Sequence, residues 1–227
     1  MSARAAEQAA GAGPEPAPRP RLRGWSHLAA VVPTIVLTVL LVVLARGGVW
    51  VKLALALYGL ASVQLFAVSG IYHAFPWSPR LKARLRRIDH ANIFVLVAAT
   101  YTPICVALLG VAWMASILGT VWGLALIGIA VVVPSRRIPR WVTALCYLLQ
   151  GWVAIVALPV ITSAAGGAGL AMILVAGALY TGGALVYTFR RPRLWPTVFG
   201  YHEIFHVMVI AANAVFAAFM LSRVVSH

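Results

Sequence analysis

The stretch "HAFPWSPRLKARLRRIDH", residues 73–90, separates two long apolar stretches and decides how this chain folds. Pro76 and Pro79 interrupt a helix, and the five Lys and Arg residues that follow are costly to place in hydrocarbon. The flanking stretches, residues 50–75 and 89–109, are each long enough to cross a bilayer, which takes about 17–25 apolar residues. This segment therefore predicts a connection between two transmembrane helices.

The rest of the chain has the same character. Its 227 residues are 63% hydrophobic and only 10% charged, whereas a soluble domain carries about 25% charged residues. The composition predicts an all-α, polytopic membrane protein: a seven-transmembrane-helix bundle over residues 23–227, preceded by a disordered cytosolic tail over residues 1–22. The predicted spans are residues 27–45, 50–75, 89–109, 112–133, 141–161, 168–189 and 198–222.

The positive charges are distributed unevenly between the two sides of this bundle. Fifteen of the 18 Lys and Arg residues lie on alternate connections, which places the N-terminus in the cytosol and the C-terminus outside. This distribution disfavours nucleic acid as a partner despite the net charge of +14, and it predicts attraction of anionic lipid headgroups to the cytosolic face of a cell (plasma) membrane. The fifteen are Arg4, Arg19, Arg21, Arg23, Arg80, Lys82, Arg84, Arg86, Arg87, Arg136, Arg137, Arg140, Arg190, Arg191 and Arg193.

Four ionisable residues fall at one depth of the predicted bundle. His73 ends the second predicted helix, and Asp89 begins the third. His202 and His206 lie in the first two turns of the seventh helix, so all four residues share the cytosolic level. Three histidines with an open position are a common catalytic zinc arrangement. The sequence therefore predicts a zinc site here; the alternative is a hydrogen-bonded knot that seals this end of the bundle.

The stretch "YHEIFH", residues 201–206, also matches the HExxH pattern of zinc metalloproteases, in which two histidines one turn apart bind the metal. Those families take a third ligand from downstream. The 21 residues after His206 contain no Asp or Glu, and their one histidine, His227, is predicted to lie outside the cell. A third ligand therefore has to come from upstream, which disfavours intramembrane proteolysis. Glu203 is left with three interpretations: a base, a partner of a metal ligand, or a residue at the mouth that meets the basic loops.

Three further polar residues lie at similar depth. Ser69 precedes His73 by one helical turn and points along the same face. His27 begins the first helix, where it is a residue that contacts substrate, a residue that supports a ligand, or an interfacial structural residue. His90 is about 100° from Asp89 around the helix and is interpreted as structural.

Four motifs in this order give the chain a family resemblance: "SGIYHAFPW" (69–77), "RRIDHANIFVLVAATYTPI" (86–104), "LYTGGALVYTFRRP" (179–192) and "FGYHEIFHVMVI" (199–210). The chain resembles the hemolysin III family, the bacterial branch of the progestin and adipoQ receptor superfamily, which is grouped with the alkaline ceramidases as candidate membrane hydrolases. The resemblance covers the chain from about residue 22 to the end and implies seven helices with a cytosolic N-terminus.

The resemblance also implies a site. Zinc would be held by His73, His202 and His206, with Asp89 associated with the zinc-bound water and Ser69 beside it. The expected function is zinc-dependent hydrolysis of a lipid amide or ester in membrane homeostasis, with membrane lipids as substrates or ligands. Asp89 would orient the water and take its proton, and Ser69 would donate to the developing oxyanion. The alternatives are a non-enzymatic sensor or receptor-like regulator with structural zinc, and the pore-forming activity in the family's name.

Overall fold

The computed structural model describes residues 20–135, 138–192, 194–195 and 197–226. Regular secondary structure in these residues is helical, as predicted. We number the helices α1 (Trp25–Leu44), α2 (Val49–Ala74), α3 (Pro79–Leu108), α4 (Val111–Ile127), α5 (Arg140–Gly151), α6 (Ala154–Phe189) and α7 (Tyr201–Phe219).

Six segments of the described chain are long and apolar enough to cross a membrane. Two of them end in π-helical turns, Gly128–Val132 after α4 and Met220–Val224 after α7. The fifth joins α5 and α6 into a single stretch of 50 residues. The six are Trp25–Leu44, Val49–Ala74, Pro79–Leu108, Val111–Val132, Arg140–Phe189 and Tyr201–Val224.

Helix α3 begins ten residues earlier than the predicted span. Pro79 lies in its first turn, where the missing N–H costs no hydrogen bond, and the Ser78 hydroxyl accepts a hydrogen bond from the Leu81 N–H at 3.5 Å. The Ala, Leu, Lys and Arg residues that follow are strong helix formers. The span predicted from hydropathy began at Asp89 and therefore missed a basic extension at the N-terminal end of the helix. Asp89 lies in about the third turn of α3.

The long stretch of α5 and α6 folds back on itself. Gly166 has a φ of 71° and a ψ of 173°, a conformation that interrupts the helix and that glycine adopts most readily. The Trp152 indole N–H donates to the Thr181 hydroxyl at 3.1 Å. In a straight helix these two residues would be about 43 Å apart. The chain therefore reverses at Gly166, close to the break predicted between residues 161 and 168.

A second interruption separates α5 from α6, and a side chain of α3 closes it. The Tyr101 hydroxyl donates to the Gly151 carbonyl and accepts from the Ala154 N–H at 2.8 Å. Backbone groups that a break leaves open are costly within a membrane unless the protein satisfies them. Tyr101 thus allows the chain to leave helical geometry inside the bundle.

Polar side chains connect the helices that carry the predicted site. Tyr58 and Ser62 of α2 both donate to the Asn213 side-chain carbonyl of α7, at 2.9 and 3.1 Å. The Gln64 amide of α2 donates to the Asn92 side-chain carbonyl of α3 at 2.8 Å. Hydrophobicity does not drive helix association within lipid, so such hydrogen bonds and close packing hold α2, α3 and α7 together.

The segment before α1 pairs with the segment before α7. The Arg21 N–H donates to the Thr197 carbonyl at 3.0 Å, and the Leu22 N–H donates to the Val198 carbonyl at 3.2 Å. Most of the predicted disordered tail, residues 1–22, lies outside the described residues. Arg21 and Leu22 are part of the folded structure.

Candidate metal centre

The structure brings together the three histidines that the sequence selected. His73 ends α2, and His202 and His206 occupy the first turns of α7. The ligand atoms of the three rings lie within 4.8 Å of one another, and the Nε2 atoms of His73 and His202 are 3.1 Å apart. We call these residues the histidine cluster.

The histidine cluster has the donors and the spacing to hold a metal ion. Two nitrogens bound at about 2.0–2.1 Å in a tetrahedral site lie about 3.3 Å apart, close to the separation of His73 and His202. Nδ1 of His206 is buried without a hydrogen-bond partner among the described residues. A hydrogen-bonded knot would account for the contact between His73 and His202, which lie within hydrogen-bond distance, but it leaves the Nδ1 atom of His206 unsatisfied. Imidazole nitrogen suits zinc, copper, iron and nickel alike.

Asp89 and Ser69 lie beside the histidine cluster. The Asp89 Oδ2 atom is 3.7 Å from Nε2 of His73, and the residue is only 9% exposed. Ser69 is 3% exposed. Both face the cavity onto which the histidines open. The structure therefore places a carboxylate and a hydroxyl within one polar chamber.

This chamber, the histidine cavity, has a volume of about 450 Å³. It extends from the histidine cluster past α3 to the N-terminal end of α5. Among the described residues, its wall carries more positive than negative side chains. Besides tyrosines, the ionisable side chains in the wall are the three histidines of the cluster, Asp89, His90, Arg23, Lys82, Arg86 and Arg140.

A second cavity of about 140 Å³ adjoins the first. Residues of α3, α4, α5, α6 and α7 line it, and most of them are apolar, including Leu96 and Ile173. Tyr147, Ala184 and Phe205 line both cavities. The polar chamber at the end of the bundle therefore borders an apolar chamber deeper in it.

His27 packs directly against the histidine cluster and is buried. Its ring stacks on His206, with centroids 3.8 Å apart and planes inclined by 10°. His27 is 2% exposed. The packing favours the interpretation that His27 supports a ligand by fixing the plane of the His206 ring.

A left-handed glycine brings the start of α1 against the end of α2. Gly24 has a φ of 84°. A Cβ at this position would lie 2.7 Å from the Gly70 carbonyl oxygen and the Ala74 nitrogen, so no side chain fits without a backbone shift. This approach positions Arg23 and His27 on either side of the glycine, next to α7.

Both carboxylate oxygens of Glu203 are engaged in contacts away from the histidine cluster. Its Oε1 atom accepts from Nε of Arg23 at 2.9 Å, and its Oε2 atom accepts from the Gly200 N–H at 2.7 Å. The residue is 1% exposed and is not part of the cavity wall. Of the three interpretations, the structure favours a residue at the mouth: Glu203 ties the segment before α1 to the start of α7.

His90 borders the histidine cavity, although it points in a different direction from Asp89 around α3. Its carbonyl accepts a hydrogen bond from the Tyr147 hydroxyl at 3.1 Å. The cavity extends across the face of α3, so residues about 100° apart on that helix both reach it. His90 lies outside the histidine cluster.

Sequence comparison decides the family. The model of the family described as haemolysin-III related matches residues 17–217, most of the chain. The chain belongs to the haemolysin III family. Among curated haemolysin III proteins, it is 28% identical over 191 residues to "Hemolysin-3 homolog" of Bacillus subtilis (strain 168), covering 83% of this chain and 86% of that protein. It is 30% identical over 163 residues to "Hemolysin-3" of Bacillus cereus, covering 71% and 70%.

Family membership and the six apolar segments together identify a multi-pass membrane protein. The plasma membrane is consistent with the bacterial relatives. The resemblance to the hemolysin III family stated from the four motifs is thereby confirmed.

Proposed function

We propose that this protein is a zinc-dependent hydrolase of a lipid amide or ester, acting in membrane homeostasis. One observation carries the proposal: the histidine cluster and Asp89 share a polar cavity that borders an apolar cavity deeper in the bundle. A lipid has the same two parts, a polar group with a scissile bond and an acyl chain. The adjoining cavities therefore suit a substrate that enters from the bilayer and meets water at the polar end.

Zinc is the metal that we assign to the histidine cluster. Three neutral imidazoles beside a carboxylate are a donor set that catalytic zinc sites use, and no cysteine belongs to the cluster. When bound by His73, His202 and His206, zinc supplies Lewis acidity to a water molecule and to the scissile carbonyl.

Asp89 is the residue that moves the proton. Its carboxylate faces the cavity beside His73 and takes a proton from the attacking water, whose oxygen adds to the carbonyl carbon. The bond from that carbon to the leaving oxygen or nitrogen then breaks, and Asp89 returns the proton to the leaving group. The products are a carboxylic acid and an alcohol or amine, so one water is consumed in each turnover.

Ser69 contributes a hydrogen bond. Its buried position in the wall of the cavity, one turn from His73, allows the hydroxyl to donate to the oxygen on which negative charge develops. Neither His90 nor Glu203 has a step in this scheme. His27 acts only by holding the His206 ring in place.

The active site faces the cytosol, and the chain crosses the membrane seven times. Residues 140–165 and 167–189, on either side of Gly166, are each long enough for one crossing of about 17–25 residues. Arg46, Lys52 and Arg223 are the only basic residues on the other side of the bundle in this topology. A reporter enzyme that is active only outside the cytosol should be active when fused to the C-terminus; its inactivity would contradict this topology.

The function is tested with purified protein reconstituted into vesicles of total bacterial lipid. We expect released fatty acid to accumulate with time, to stop when a chelator removes the metal, and to resume when zinc is restored. If no lipid product forms while zinc is bound at full occupancy, the hydrolase proposal is wrong.

One observation favours the non-enzymatic alternative. Ligands from α2 and α7, with His27 of α1 stacked on one of them, join three helices at one end of the bundle. A metal there would clamp these helices, because its binding free energy adds to that of folding. The vesicle experiment separates the two functions, since a clamp requires zinc for stability and releases no product.

A further inference from the structure

The cationic wall of the histidine cavity has no role in the hydrolytic scheme. Arg23 reaches the cavity from the segment before α1, Lys82 and Arg86 from the first turns of α3, and Arg140 from the first residue of α5. Lys82 and Arg86 are four residues apart, so they lie on one face of α3. We call these four residues the cationic rim. Three separate parts of the chain thus bring positive charge to one chamber.

Carboxylates of the described chain neutralise only one of these four charges, that of Arg23. Asp89 and Glu203 are the only acidic residues of the described chain. Glu203 is engaged by Arg23 and by the Gly200 N–H, and Asp89 lies beside His73. No carboxylate of the described residues lies within ion-pair distance of the other three members of the rim. A cation bound by the histidine cluster would add to this surplus.

Arg140 is held where it can meet a ligand. Its guanidinium carbon lies 5.9 Å from the centre of the Tyr187 ring, a cation–π contact that leaves the N–H groups available. Tyr187 itself lines the cavity. The planar N–H fork of an arginine matches two oxygens of a phosphate, and ammonium groups bind phosphate as point charges.

From this geometry we infer that the substrate of the histidine cavity is an anionic, phosphate-bearing lipid, whose phosphate binds at the cationic rim. This inference rests on the proposed function and names its substrate class. In a glycerophospholipid, the ester carbonyls are a few bonds from the phosphate. A headgroup bound at the rim therefore leaves an ester beside the histidine cluster and an acyl chain next to the apolar cavity. A neutral lipid would offer no counter-charge to the rim.

The test measures binding without turnover. Native mass spectrometry of the purified, zinc-loaded protein records bound phosphatidylglycerol as that lipid is titrated, with phosphatidylcholine as the zwitterionic comparison. We expect phosphatidylglycerol to be preferred, and Arg86→Gln to weaken its apparent affinity by about tenfold, the size of a lost charge-assisted hydrogen bond. Lys82→Gln should weaken it in the same direction. Inorganic phosphate should compete only weakly, because it lacks the acyl chains.

Arg84→Gln and Arg87→Gln are the matched controls. Both residues are exposed basic residues of the same helix, and neither lines the cavity. The affinity of these two variants for phosphatidylglycerol should stay within about twofold of wild type. Arg84, Arg86 and Arg87 are all exposed, but only Arg86 lines the cavity in which the phosphate binds. Equal losses of phosphatidylglycerol affinity in the rim and control variants would mean that the lipid is attracted to the basic surface in general, and this would overturn the inference. So would equal binding of the two lipids, or phosphate displacing the lipid completely, which would identify a site for the free ion.

The outcomes separate this inference from the proposed function. Preferred binding of phosphatidylglycerol at the rim without release of fatty acid supports the anionic ligand and contradicts the hydrolase. Release of fatty acid from neutral lipids alone, with no phosphatidylglycerol preference, supports the hydrolase and contradicts the anionic substrate.

Discussion

Purified His73→Ala protein should contain almost no zinc, whereas the wild type should contain about one zinc per chain. Even the loss of a residue that only orients a metal ligand costs about 10- to 100-fold in metal affinity. Loss of a ligand itself should cost more, and His73 is the one ligand that α2 supplies. Elemental analysis after dialysis against a weak chelator measures the difference.

Two further variants serve as controls for the zinc content of His73→Ala. His90→Ala removes a histidine from the wall of the same cavity but not from the histidine cluster, so it should retain its zinc. His206→Ala should lose zinc as His73→Ala does. Circular dichroism and gel filtration, with chelator-treated wild type as the reference, show whether each variant is folded. A folded His73→Ala protein with wild-type zinc affinity would contradict the proposed ligand set.

Asp89→Asn should retain zinc and lose turnover by about 10²- to 10⁴-fold, the usual contribution of a positioned acid–base residue. The carboxamide has nearly the shape of the carboxylate, but it does not take a proton from water. The loss of turnover is measured in vesicles as the rate of fatty acid release per bound zinc, which corrects for differences in metal loading between the proteins. In cells, the lipid that accumulates in this variant would identify the substrate.

Glu203→Gln is the matched acid-to-amide control, because Glu203 is the only other carboxylate of the described chain. It should lower stability by about 1–3 kcal/mol, since Arg23 loses its charged partner, while turnover per folded molecule changes little. Full turnover in Asp89→Asn would remove Asp89 from the mechanism. Loss of zinc in that variant would assign Asp89 to metal binding instead.

The gathering of the histidine cluster could be predicted because two regularities of membrane proteins act together. The alternation of Lys and Arg sets which helix ends share a side, and a helical spacing of four residues puts His202 and His206 on one face. The shared depth of the helix ends and the shared helix face of His202 and His206 together restrict where these side chains can meet His73. The structure brings these three together as those rules require.

Other features depended on contacts that no local pattern contains. Glu203 pairs with Arg23, which lies 180 residues earlier in the chain, so a motif centred on the HExxH pattern cannot identify its partner. The stacking of His27 on His206 has the same origin. The early start of α3 was missed because a hydropathy criterion discards Lys and Arg, although both are good helix formers.

X-ray absorption at the zinc edge of the purified wild-type protein identifies the atoms that bind the metal. We expect nitrogen and oxygen ligands at about 2.0–2.1 Å, with the scattering pattern of three imidazoles. A sulfur ligand at about 2.3 Å would move the metal to Cys105 or Cys146, which lie outside the histidine cluster. That result, or a protein that binds no zinc, would show that the histidine cluster is not a zinc site.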